Sequence, residues 1–239
     1  MISRSKLLTY QSVNNSVKLM SSKPATVSAA RPPGPIRRRR KEQRPGEIID
    51  AALQEFARHG FAATRLEDVA EQAGVTKGTI YFYFKDKEEL FKAAVRSSLL
   101  PALKEIETLS IDFEGSAEEL LRAHFRAVYS LLIKNPRARQ ILRLLIAEGP
   151  QFPELVDFYY RDVISRGLSV LRHVIERGIA KHEFRRTRVT EFPQVIFGPV
   201  VSAMIWTLLM YEKHPLDFDA YARAHIDLVL NGLKKGNSH

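Results

Sequence analysis

The chain has 239 residues, 45% of them hydrophobic, enough for one large domain or two smaller ones with a substantial core. It contains no cysteine, which excludes a disulfide framework, a thiolate metal site and a cysteine nucleophile. The net charge of +10 is uneven: residues 1–45 hold 11 Lys/Arg and one acid, Glu42, whereas 26 basic and 26 acidic residues balance over 46–239. A basic tail attracts polyanions such as nucleic acid or anionic lipid. The lack of cysteine fits a reducing compartment, and the expected location is cytoplasmic.

Residues 1–44 read as a disordered basic tail, rich in Ser, Lys and Arg and carrying "RPPGP". The absence of acid before Glu42 mimics an organellar transit peptide, but no continuous apolar core of signal-peptide length is present. The run Arg37 to Lys41 is either a solvated charge run or an arm lying along phosphates or a minor groove.

From Pro45, which suits a first helical position, Ile48, Ile49, Ala52, Leu53 and Phe56 recur at helical spacing. Gly60 supplies a left-handed stop. Thr64 and Glu67 form a capping-box pattern opening a short helix that ends at Gly74. Thr76 caps the next helix, and Asp86 to Glu89 resembles another acidic start. The stretch Ile80 to Phe84 is strand-like by propensity, yet the flanking caps confine it to a helix of about two turns.

The remainder is predicted helical: Lys87 to about Leu109, disturbed near Pro101; Ser116 to about Lys134, opened by a capping box; Arg137 to about Ala147; and Pro153 to about Lys181. Two final helices are expected over 191–212 and 217–234. The uncharged run Val195 to Tyr211 is short for a membrane span and is expected as a buried helix, so no membrane is implied. No strand and no internal repeat is evident.

Two short helices joined by a Gly-containing turn make a helix-turn-helix. The second helix enters the DNA major groove, its N-terminal end carrying the contacts. Thr76 and Thr79 offer hydroxyls, Lys77 offers charge, and Gly78 permits close backbone approach. Ile80 and Phe84 anchor the helix to the core, while Tyr81 and Tyr83 direct hydroxyls at phosphates. Lys87 adds charge at the start of the following helix.

The segment "FARHGFAATRLEDVAEQAGVTKGTIYFYFKDKEELFKAAV" resembles the DNA-binding domain of TetR-family transcriptional regulators. The resemblance rests on Gly60-Phe61, Thr64, Ala70 to Val75, Thr76 to Tyr81, Phe84 and Lys87, and covers about residues 45–95. It implies DNA contacts at Thr76, Lys77, Gly78, Thr79, Tyr81, Tyr83 and Lys87, with Tyr83 standing where His is frequent. Thr64 and Arg65 join this set, Arg65 replacing a frequent Thr.

The resemblance further implies an all-α homodimer: a helix-turn-helix domain over 45–92, and an effector-binding and dimerisation domain over 93–239 that pairs through its last two helices. The expected partners are a near-palindromic double-stranded operator and a small apolar or amphipathic effector. The expected activity is transcriptional repression relieved by that effector. The alternatives are regulation by a protein partner without an effector, and a helical interaction protein that has lost DNA binding. Candidate pocket-lining residues are Phe125, Tyr129, Phe152, Phe158, Tyr159, Trp206 and Met210, although aromatics at helical spacing are core more often than ligand wall.

No enzyme is expected. The seven histidines form no HxxxH-type pair, and no P-loop, GxSxG or dinucleotide fingerprint occurs, so neither metal nor cofactor is expected.

Overall fold

A computed structural model describes residues 35–234, with side chains from Gln43 onward. The expected tail up to position 34 and the side chains of Arg37 to Lys41 lie outside the described residues. Ten α-helices make up the described part: α1 (Pro35–Ala63), α2 (Leu66–Gln72), α3 (Lys77–Tyr83), α4 (Lys87–Asp112), α5 (Ala117–Ile133), α6 (Pro136–Glu148), α7 (Pro153–Tyr159), α8 (Ser165–Ala180), α9 (Pro193–Leu209) and α10 (Phe218–Leu233).

Helix α1 begins well before the expected start, so Pro45 lies inside it. Pro35 is an earlier residue of the same start-compatible type, and sequence periodicity alone does not choose between them. Ile48, Ala52, Leu53 and Phe56 are buried in the core, with α1 packed on α2, α4 and α6. Gly60 interrupts α1 with φ +79°, a left-handed value that costs little only for glycine.

Helix α4 runs through Pro101 to Asp112 rather than breaking there. A proline removes one backbone hydrogen bond, and burial of Leu99, Leu103 and Ile106 on either side outweighs that loss. Its first half buries Leu90, Phe91, Ala94 and Val95. The same helix therefore belongs to both the N-terminal unit and the C-terminal bundle.

The expected helix from Pro153 is composite: a π turn over Tyr160–Ile164 joins α7 to α8. The last two helices shorten to Pro193–Leu209 and Phe218–Leu233. His225 ties the bundle together. Its Nε2 lies 2.9 Å from the carbonyl of Ile196 on α9, and its Nδ1 lies 3.0 Å from the hydroxyl of Tyr129 on α5. A carbonyl only accepts, so Nε2 carries the proton and Nδ1 accepts from Tyr129. Burial lowers the His225 pKa, in keeping with this neutral ring, while the bond to Ile196 opposes the shift.

Candidate functional site

Helices α2 and α3 form a compact hairpin around Gly74, which adopts φ +62° at the turn. Ile80 is fully buried and Phe84 nearly so, the anchoring expected from their spacing. The opposite face is exposed: Thr76, Lys77, Gly78, Tyr81 and Phe82 are open, and Thr79 and Tyr83 are half-buried. Thr76 caps α3, accepting from the Thr79 backbone N–H at 3.3 Å. The two threonine hydroxyls lie 3.0 Å apart.

Lys77 pairs with Glu67 on α2. The hydrogen bond from Lys77 lowers the Glu67 pKa, and the same contact raises that of Lys77. Both groups are exposed, so a phosphate can compete with the carboxylate at small cost. Arg65 is exposed beside them.

Two expected contact residues have other work. Thr64 is 4% exposed and donates its hydroxyl to the carbonyl of Gly60 at 2.6 Å. It does not cap α2 with its side chain; Arg65 occupies that position, without a side-chain hydrogen bond. The Lys87 ammonium donates to the carbonyls of Phe61 at 2.7 Å and Ala62 at 2.8 Å, with Thr64 at 3.5 Å. It also lies 4.8 Å from the centre of the Phe61 ring. Carbonyls at a helix C-terminus are unsatisfied and attract cations. Lys87 therefore fixes the end of α1, and its ammonium is already engaged.

The same joint is held from the other side by Glu148, the last residue of α6. Its carboxylate accepts from the backbone N–H groups of Phe61 at 2.6 Å and Ala62 at 2.8 Å. Glycine is required here by φ, and a methyl group at residue 60 would in addition push the Glu148 carboxylate off its backbone partners. Arg137, at the other end of α6, pairs with Asp50 of α1 at 2.5 Å. Phe152 packs edge-on against Phe61 with ring centres 4.8 Å apart.

Between α4, α5, α6, α7, α8 and α9 and the π turn lies a cavity with about 100 Å³ of free interior. Its wall is apolar, with Leu103, Val128, Leu142, Phe197 and Met204 among its members. His124 contributes to it; the side chain is 2% exposed, and neither ring nitrogen has a hydrogen-bonding partner among the described residues. Burial pushes its pKa down to about 4. Tyr159 also lines the cavity, its hydroxyl pushed up to about 12 by burial.

The N-terminal part of the chain, residues 48–94, matches the family model for bacterial regulatory proteins of the tetR family, and residues 112–229 match that for the tetracyclin repressor-like C-terminal domain. The HTH-type transcriptional regulator TtgW of Pseudomonas putida is 35% identical over 102 residues, which are 43% of this chain and 72% of TtgW. The chain belongs to the TetR family of bacterial transcriptional regulators. The fatty acid metabolism regulator protein of Bacillus subtilis is 24% identical over 197 residues, covering 81% of this chain and 98% of that protein. Among solved structures, the SmeT–triclosan complex is similar in fold, with a TM-score of 0.66 and 24% identity over 81% of this chain and 93% of that one.

As in other TetR-family regulators, the recognition unit is N-terminal and the divergent bundle C-terminal. Of the seven expected pocket residues, Tyr159 alone lines the cavity just described. Phe125 stacks edge-on with His225 at 4.7 Å, and Tyr129 bonds the same imidazole. Phe152 sits at the α1 joint, and Phe158 lies under the Arg96 guanidinium at 5.0 Å. Trp206 is 39% exposed and donates its indole N–H to the carbonyl of His214; Met210 is 46% exposed at the end of α9. Phe125, Tyr129 and Phe158 are buried, as large side chains on amphipathic helices fill gaps between helices before they line a void.

His124 was the missed residue. It falls on the apolar face Leu120, Leu121, His124, Phe125, Val128, a polar ring where the helical period demands a hydrophobe. That mismatch was the available signal.

Helix α9 is not buried all round. Val195, Val201, Ile205, Trp206 and Leu209 are exposed along it, and Leu228 is exposed on neighbouring α10. Among the described residues, no helix is long and apolar enough to cross a membrane.

Proposed function

We propose that this TetR-family regulator is a cytoplasmic homodimeric repressor that binds a near-palindromic operator through α3 and releases it when a small apolar or amphipathic effector occupies the bundle cavity. The exposed apolar side chains along α9, with Leu228 on α10, support pairing through these helices, since exposed apolar surface marks interaction sites when it is extensive. The open face of Thr76, Lys77, Gly78 and Tyr81 supports the operator contact. Thr64 and the Lys87 ammonium are left out of that contact set, being engaged within the joint.

The observation that carries the mechanism is the reach of α6. Leu142 on this helix lines the cavity, and Glu148 at its end holds the backbone of Phe61 and Ala62. A ligand that displaces α6 thereby acts on the turn leading into α2 and α3. To empty the operator, it must bind the displaced state more tightly than the DNA-bound one. A regulator controlled only by a protein partner needs no cavity, so the cavity favours the effector reading.

Selection of bound sequences from a random duplex pool tests the proposal. The expected result is an inverted repeat with half-site centres about 34–36 Å, one helical turn, apart or a multiple of it. Recovery without any common sequence contradicts it.

A further inference from the structure

We infer that the cavity takes an uncharged ligand with a compact apolar body and a single hydroxyl-type group, which His124 recognises. This rests on reading the cavity as the effector site. The wall contains no Lys, Arg, Asp or Glu. An ionised ligand would lose its hydration there without meeting an opposite charge. A pure hydrocarbon would leave the imidazole unsatisfied, because both ring nitrogens lack partners in a side chain that is 2% exposed.

At neutral pH the imidazole is uncharged, since burial holds its pKa near 4. It presents one N–H donor and one nitrogen acceptor. A hydroxyl matches either, donating to the bare nitrogen or accepting from the N–H. Lining Tyr159 keeps its proton throughout the physiological range and so adds no charge to the wall. The free interior of about 100 Å³ is smaller than the roughly 150 Å³ apolar cavity that accommodates benzene, so the body is at most a single small ring and the wall must yield slightly to admit it.

A matched trio of probes separates the alternatives: p-cresol, p-toluate and p-xylene, titrated calorimetrically into the full chain, its His124→Phe variant and its His124→Gln variant. The expected order is p-cresol tightest, by about tenfold over p-xylene, with p-toluate weakest. His124→Phe should lose the preference for p-cresol while still binding p-xylene. His124→Gln keeps a donor and an acceptor and should retain part of it.

The inference is overturned if p-toluate binds as tightly as p-cresol, or if a folded His124→Phe variant keeps the preference. It is also overturned if none of the three binds, in which case a buried water is the better partner for His124. Should His124→Phe fail to fold, the wild-type order and His124→Gln decide. Release of operator DNA is followed separately by fluorescence anisotropy. Binding of p-cresol without release overturns the effector reading and leaves recognition by His124 standing.

Discussion

On the face of α2 and α3 the polar groups are exposed and paired with one another: Lys77 with Glu67, Thr76 with Thr79. In the bundle cavity the polar group is buried and paired with nothing, as both nitrogens of His124 show. Exposed pairs exchange partners at little cost, so DNA can take over these contacts. A buried unsatisfied group is costly, so it selects the molecule that satisfies it. One region is poised for exchange and the other for discrimination. Between them stands a joint of backbone groups around Gly60, gripped by Glu148 and Lys87.

The largest effect is expected at that joint. Gly60→Ala places a methyl at φ +79° and against Glu148 Oε1, and should lower unfolding stability by about 2–4 kcal/mol in urea. Unchanged stability would separate the two regions and remove the joint from the account.

The cavity gives the next effect, through pH. His124 is held neutral with its pKa near 4, below its ordinary 6.5, so the unfolded chain binds the additional proton first. Stability is therefore full above about pH 6.5 and falls as pH drops towards 4. By pH 5 the wild type should have lost about 2 kcal/mol relative to His124→Phe, measured from paired urea titrations at pH 7.5 and 5. Parallel curves for the two proteins would show that the imidazole is hydrated and the cavity open.

Lys87→Ala removes the cation that binds the end of α1 and should cost about 1–2 kcal/mol of stability, with a change in DNA affinity that follows from the loosened joint. A loss of DNA binding at undiminished stability would return Lys87 to the phosphate-contact set. Lys77→Ala should be smallest in the absence of DNA, leaving the thermal midpoint where it was. On DNA it should weaken binding to all sequences and reduce the salt slope by about 1. A shifted midpoint without a changed slope would mean that Lys77 serves the fold instead.

What the sequence made legible was local. Ser116 and Glu119 form the reciprocal capping box that their spacing announces, and Thr76 caps α3 through its side chain. Ile80 and Phe84 are buried because an i, i+4 pair on a two-turn helix can share one face. These outcomes depend on neighbours within a few residues. The partners of Lys87 and Thr64 are set by the three-dimensional fold, at Phe61 and around Gly60, and no local pattern announces them. Glu148 meets Phe61 across 87 residues of chain, a contact that no local pattern encodes. The cavity was hardest to read, since a void is defined by side chains on six helices and a π turn and by what fails to fill it.

The central claim is sequence-specific operator binding by a dimer, and fluorescence anisotropy tests it most directly. The full chain is titrated onto duplex DNA from upstream of its own gene and onto a scrambled duplex, at several salt concentrations. The account expects tight binding to the first alone, saturating at two protomers per site and weakening as salt rises. Equal, strongly salt-sensitive binding to both duplexes at every concentration would contradict it, leaving an electrostatic association in which α3 reads no sequence.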